Sequence, residues 1–155
     1  MKNLIYISVI IGTLISCSFN KGIDPENLNE KFDPAQYPQK WQLIEMSGSI
    51  ATVPPTTGSD MDYQEYYLLY ADKTFMKSRE WDNVVTKETG TYTLVILLDE
   101  KYLELIYQSN NDLIGNCTGE ANELLYLNSE NKLIGTWSAC DGPGLIYERV
   151  HIVIL

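Results

Sequence analysis

The sequence predicts an all-β fold, an eight-stranded antiparallel up-and-down barrel. Residues 63–107 consist of runs of aromatic and β-branched residues of strand length, separated by short polar turns, which is typical of consecutive hairpins. The sequence has no apolar run long enough for a membrane-spanning helix, and it has no sustained helical period that would compete with this pattern. The chain has 155 residues, which is enough for one domain with a core of its own.

Eight segments have the composition of strands. They are residues 40–47, 63–70, 73–81, 84–95, 101–108, 121–127, 132–139 and 145–152. Eight sequential antiparallel strands can close into a barrel that has no free edges and holds one small ligand. A two-sheet β-sandwich is the alternative architecture. Between the first two segments, Pro54-Pro55 excludes a central strand, so residues 47–62 are expected to form a long mobile loop.

Composition narrows the classes of partner. The formal net charge is −10, and a nucleic-acid partner is not expected because phosphate contacts need clustered Lys and Arg. The acidity favours either a basic partner or simple solubility. The eleven tyrosines favour packing and binding over catalysis.

The N-terminal residues have the organisation of an export signal. Met1-Lys2-Asn3 is followed by an apolar stretch, residues 4–14, which is too short to span a bilayer comfortably. It ends in Leu14-Ile15-Ser16-Cys17, which resembles the lipobox of bacterial lipoproteins. The resemblance implies that residues 1–16 are a signal peptide and that Cys17 becomes the acylated first residue of the mature protein. An ordinary signal peptide that contains a cysteine is the alternative.

The segment after the expected anchor has too few apolar residues for a core. Residues 17–38 contain Gly22, Pro25, Pro34 and Pro38, so we expect a lipidated flexible tether followed by the barrel domain, residues 39–155. Ser18, rather than Asp, follows Cys17. By resemblance to known lipoprotein sorting, this implies the outer membrane, on its periplasmic face or at the cell surface.

Two residues at the ends of the barrel sequence carry a second resemblance. Trp41 lies near the start of the first strand and Arg149 lies on the last. With this pair, residues 39–152 resemble the lipocalin-like domains of Bacteroidetes lipoproteins. Residues 71–74 are similar to the Asp-Gly-Thr turns that are frequent in these domains. In lipocalins such a Trp packs at the closed end of the barrel beneath an Arg or Lys, which would be a cation–π pair. The alternative is a core aromatic and an unrelated surface charge.

No group of residues predicts catalysis or metal binding. His151 is the only histidine, and no Gly-x-Ser-x-Gly motif accompanies it. Two widely spaced cysteines lack a zinc knuckle. Acidic residues such as Asp60, Asp62 and Glu65 lack the spacing of a calcium-binding loop. We therefore expect no enzymatic activity, no cofactor and no metal.

Two functions remain open. The first is a monomeric binding module that takes a small apolar or amphipathic ligand inside the barrel, gated by residues 47–62. Period-two alternation predicts that ten side chains line this interior: Trp41, Leu43, Phe75, Tyr92, Leu94, Leu103, Leu105, Leu125, Leu127 and Trp137. The alternative is a protein-interaction module of the envelope, a scaffold or an inhibitor of a basic enzyme such as lysozyme. A barrel filled by its own side chains favours the alternative.

The two remaining cysteines predict a disulfide. With Cys17 acylated, Cys117 and Cys140 are left in an oxidising compartment. In an up-and-down barrel alternate loops emerge at the same end, and the loops that hold Cys117 and Cys140 flank one hairpin. They share their rim with residues 47–62. Two buried, unpaired thiols are the alternative.

Overall fold

The chain forms one antiparallel sheet that closes on itself. The computed structural model describes residues 32, 33, 35–48 and 53–152. Their strands are β1 (Gln39–Ser47), β2 (Thr56–Thr57), β3 (Gln64–Leu69), β4 (Thr74–Trp81), β5 (Val84–Leu97), β6 (Glu100–Tyr107), β7 (Asn122–Leu127), β8 (Leu133–Gly135) and β9 (Gly144–Val150). Because β9 pairs with β1, strands β1 and β3 to β9 form a closed eight-stranded barrel. The predicted fold class is confirmed, and the sandwich alternative is wrong.

Two segments differ from the predicted elements. Thr56–Thr57 forms a two-residue strand that pairs with Glu45 and Met46, and a 3₁₀ turn, Gly58–Asp60, follows it. The seventh predicted strand, residues 132–139, is wrong in its second half, since β8 stops at Gly135 and Thr136–Cys140 is a 3₁₀ turn. The disulfide at Cys140 and the left-handed residue Asp141 bend the chain there.

The core is formed by every second residue of the strands. On β3 the buried residues are Glu65, Tyr67 and Leu69, which share one face because successive strand residues point to opposite sides. On β1 the register shifts between Leu43 and Glu45, so this β-bulge turns Met46 back into the interior.

Gly90 is required by a close approach inside the barrel. A Cβ at this position would overlap the carbonyl oxygen of Ile106 and crowd the ring of Phe75. The space left by the missing side chain lets the rings of Phe75 and Tyr107 pack edge to face, with centroids 5.0 Å apart.

The two ends of the barrel differ. We call the end formed by residues 53–63, 82–83, 108–121 and 136–143 the distal rim. The opposite end, formed by residues 35–38, 70–73, 98–99 and 128–131, is the tether end, because the chain enters β1 there. At the tether end Trp41 and Arg149 are buried cross-strand partners. Phe32 packs on Trp41 with ring centroids 6.2 Å apart, and Arg149 Nη2 donates to Gln36 Oε1.

The predicted disulfide is confirmed. Cys117 and Cys140 are bonded at the distal rim, with a Cα–Cα distance of 5.7 Å and a sequence separation of 23. The described part of the β1–β3 loop lies at the same rim, as expected from the alternation of loops.

We predict that replacing both Cys117 and Cys140 by Ser lowers the free energy of unfolding by about 3 kcal/mol, because the unfolded chain regains the entropy of an open loop of this length. Denaturant unfolding of the oxidised protein and of the double variant measures the difference. Two titratable thiols in the denatured, unreduced wild type would contradict the bridge.

Candidate functional site

Most side chains that were predicted to line the interior lie there. Each of the following is at most 2% exposed and belongs to one core cluster: Trp41, Leu43, Phe75, Tyr92, Leu103, Leu105 and Leu125. Leu127 is partly buried and packs against this cluster. The buried side chains therefore pack on one another in the barrel interior and leave almost none of their surface accessible.

Two predicted interior residues lie elsewhere. Leu94 is 40% exposed, because β4 begins at Thr74, opposite Thr91, and leaves the last residues of β5 without a neighbour on that side. Trp137 lies in the 3₁₀ turn at the distal rim. Its ring rests against Gly115 and Gly142, where an added Cβ would crowd or overlap it.

The interior also holds four charged side chains that we call the charge network: Glu65, Lys77, Arg79 and Glu123. Lys77 Nζ lies 3.3 Å from Glu65 Oε1 and 3.1 Å from Glu123 Oε1. Arg79 Nε donates to Glu65 Oε2 at 2.6 Å. Lys77 and Glu65 are fully buried. Two carboxylates and two cations make the network formally neutral.

Hydroxyl and backbone groups complete the network. Tyr147 donates to Glu65 Oε1 and Tyr107 donates to Glu123 Oε2, each at 2.5 Å. The Gly115 amide donates to Glu123 Oε1 at 3.2 Å. Lys77 donates to the Leu113 carbonyl at 2.6 Å, which holds the buried loop residue Leu113 over the distal end of the interior. Charged groups with this many partners are tolerated in a core.

The same surroundings keep the tyrosine hydroxyls protonated. Burial, followed by the nearby carboxylates, raises the pKa of Tyr107 and of Tyr147 well above the ordinary value. Burial and the charge of Glu65 raise the pKa of Tyr63 to about 12, although Arg79 lies 4.2 Å above its ring. Protonated hydroxyls can donate to the carboxylates, as the hydrogen bonds require.

Sequence reasoning missed the charge network, although the alternation contains a signal for it. Glu65 shares the parity of Tyr67 and Leu69 on β3, and Lys77 shares that of Phe75 on β4. Charges that alternate in phase with core residues point into the barrel.

The distal rim is the strongly acidic surface of the described barrel. Its exposed acids are Asp60, Asp62, Asp82, Asp112, Glu120 and Asp141, and Glu80 is exposed beside it near the end of β4. Among the described residues, Lys87 is the exposed cation near them. Beside Asp82, the end of the β4–β5 hairpin exposes Trp81, Val84 and Val85, and Trp81 is 65% exposed. An exposed tryptophan is a typical centre for a protein contact.

A polar hollow of about 470 Å³ lies on the outer face of β1, β3, β4 and β5. It is lined by Lys40, Gln42, Gln64, Tyr66, Ser78, Glu80, Val85 and Lys87. Lys40 Nζ lies 4.4 Å above the ring of Tyr66. Gln42 and Gln64 donate to the carbonyls of Glu65 and Gly58, so part of the polar lining is already bonded within the barrel.

Within residues 32, 33, 35–48 and 53–152, no group of three or more His, Cys, Asp or Glu is placed to hold a metal ion. No helix in the same residues has the length and apolar composition to cross a membrane. Comparison with protein-family models, curated sequences and solved structures gives no significant match.

We predict that Lys77→Met lowers the free energy of unfolding by about 3–5 kcal/mol, because two buried carboxylates lose their shared cation. Lys87→Met is the matched control, since Lys87 is exposed on the adjacent strand, and it should change stability by less than about 0.5 kcal/mol. Urea unfolding of both variants gives the comparison. Equal effects would show that the charge network does not stabilise the fold.

Stability should also fall in alkali. The raised pKa values of Tyr67, Tyr107 and Tyr147 mean that the folded state keeps protons that an unfolded tyrosine loses above about pH 10. Stabilisation is therefore complete below that pH and decreases as pH rises, by about 1.4 kcal/mol per pH unit for each such tyrosine. Denaturant midpoints and tyrosinate absorbance measure this. Ionisation of all tyrosines at their ordinary pKa in the folded protein would contradict it.

Proposed function

We propose that this protein is an envelope lipoprotein whose barrel binds a basic protein through the acidic distal rim. The observation that carries the proposal is the filled interior, where core side chains and the charge network occupy the space that a carried ligand would need. This supports the interaction module over the carrier of a small apolar ligand.

The energetics of the interior favour this choice. An apolar ligand that entered beside Lys77 would have to displace hydrogen-bonded groups, and the carboxylates of Glu65 and Glu123 would lose their partners. Leaving such charges buried and unpaired costs several kcal/mol. At the other end, the ring of Trp41 is fully buried and packs against Phe32, so an entering ligand would also have to open this contact.

The distal rim supports a basic partner by charge. Acids from several separate elements converge there, among them Asp60, Asp82, Asp112 and Asp141, while Lys87 is the exposed cation near them in the described barrel. Complementary charge speeds encounter and selects partners, and the exposed ring of Trp81 supplies an apolar anchor.

The proposed lipid anchor is compatible with a partner that binds at the distal rim. The lipobox resemblance implies acylation at Cys17, with the signal peptide removed. The chain enters β1 at the tether end, opposite the rim. A lipid on Cys17 would attach the protein to the outer membrane through the chain that enters at the tether end, and the rim lies at the opposite end of the barrel. Two or three acyl chains suffice for stable membrane attachment.

We predict that the double variant Glu80→Lys/Asp82→Lys weakens binding of a basic lysozyme, used as the probe, by at least about tenfold at low ionic strength, because it reverses charge beside Trp81. The control variant Asp99→Lys/Glu130→Lys makes the same change in net charge at the tether end and should lower affinity less than about threefold. Calorimetry with protein purified from the envelope in detergent measures both.

Two outcomes would contradict the proposal. They are the absence of binding to the unsubstituted protein and an equal loss of affinity in both variants. Binding of a fatty-acid probe with a change in tryptophan emission would instead support the small-ligand prediction.

A further inference from the structure

The tether end carries an apolar projection that no described residue covers. Strand β5 continues beyond the start of β4 and turns into β6 through Leu98 and Asp99. We call residues 94–100 the β5–β6 tip. Four of its side chains are exposed: Leu94 by 40%, Ile96 by 69%, Leu97 by 46% and Leu98 by 97%. Clustered apolar exposure of this kind marks a contact with another apolar phase or molecule.

Leu98 is unfavourable in its position for two reasons. It is almost fully exposed, and its φ of 51° is left-handed, a conformation in which Asn, Asp or Gly is favoured over Leu. The β4–β5 turn at the distal rim has Asp82 and Asn83 at the corresponding positions, also with positive φ. The two turns share a backbone conformation, so the turn itself does not require a leucine.

The tip lies at the end of the barrel where the chain enters. The turn at residues 98–99 and residues 35–38, which precede β1, belong to the same end. Cys17, the expected acylation site, precedes the first described residue, Phe32, by a short stretch. Because the described chain begins at this end, where Phe32 packs on Trp41, a membrane that holds the proposed anchor can also reach the tip.

We propose that the β5–β6 tip inserts shallowly into the lipid bilayer to which the protein is anchored. The inference rests on the proposed lipid anchor and adds a second membrane contact, which would orient the barrel on the surface. One acyl-linked tether fixes position but not orientation, whereas a tether and a hairpin together fix both.

The chemistry of the tip fits lipid better than a protein surface. Leu94 and Ile96 lie on one face of β5, Leu97 lies on the other, and Leu98 forms the end. Apolar groups on both faces and at the end suit a surrounding fluid phase, since a protein partner would cover one face.

The surroundings of the tip suit the bilayer interface. Tyr70 is exposed at the same end, and the rings of Tyr102 and Tyr126 pack 5.3 Å apart beside β6; tyrosine is enriched at membrane–water boundaries. The charged residues Asp99 and Glu100 adjoin Leu98 and limit insertion to the headgroup region. Lysines Lys73, Lys101 and Lys132 lie near this end, so it is less acidic than the rim.

The test places a tryptophan reporter at each hairpin end of the full chain. Leu98→Trp reports on the tip, Leu97→Trp is a second reporter, and Val84→Trp at the distal β4–β5 hairpin is the matched control. Each variant is purified from membranes in its processed form and reconstituted into phosphatidylcholine–phosphatidylethanolamine vesicles with and without brominated acyl chains. Flotation of the vesicles measures attachment, and quenching measures insertion.

We expect every variant to float with the vesicles, because the anchor is unchanged. Brominated lipid should quench the tip tryptophans at least about twofold more than the Val84→Trp reporter, since tryptophan at the interface lies within reach of the acyl chains. Equal quenching at both ends would overturn the inference. So would flotation without quenching of the tip, including the case where the protein is a dimer paired through its tips.

If Cys17 is not acylated, the flotation measurement gives a different result. If the unsubstituted protein does not float, the proposed lipidation is contradicted, whatever the tip does. Cys17→Ser is the reference for the flotation measurement, because it removes the thiol that is expected to be acylated and leaves the barrel sequence unchanged. Flotation of the unsubstituted protein with an unquenched tip contradicts insertion alone.

Discussion

The ammonium of Lys77 is the group on which the barrel interior depends. It lies between the carboxylates of Glu65 and Glu123 and also binds the carbonyl of Leu113. One cation thus connects β3, β4, β7 and the loop that closes the distal end. None of these groups could remain buried without the others, because an isolated buried charge costs far more than a paired one.

This dependence also specifies the register of the strands. Tyr67 lies opposite Lys77, and Glu65 lies opposite Arg79, so a slip of one residue would turn the charged groups out of the barrel and separate the ion pairs. Register is already restricted wherever one face of a sheet is buried. The charge network restricts the register further, because its ion pairs would separate if the strands slipped. The net stability gained from such a network is modest, whereas the removal of one partner is costly because it leaves the others buried and unpaired.

The two ends of the filled barrel differ in chemistry. The distal rim gathers acids around Trp81 and is held by the Cys117–Cys140 bridge. The tether end combines exposed leucines, tyrosines and lysines. This asymmetry suits a protein that is attached at one end and binds at the other, as we propose.

The sequence by itself determined the elements that depend on neighbouring residues. Aromatic and β-branched runs specify strands, polar pairs such as Asp82-Asn83 specify turns, and strand order places Cys117 and Cys140 at one rim. Alternation also places Trp41, Leu43 and Phe75 inside. The N-terminal lipobox and the anchor at Cys17 lie outside the described residues and remain predictions from sequence.

Only the tertiary structure decided what depends on closure of the barrel. Leu94 is exposed because β4 starts too late to cover the end of β5, and this stagger between strands is not encoded in local alternation. Trp137 leaves the wall because the chain turns at the disulfide. Lys77 and Glu123 are 46 residues apart and meet only when the sheet closes. Alternation determines which face a side chain occupies, whereas pairing over long sequence separations determines which other side chains it contacts.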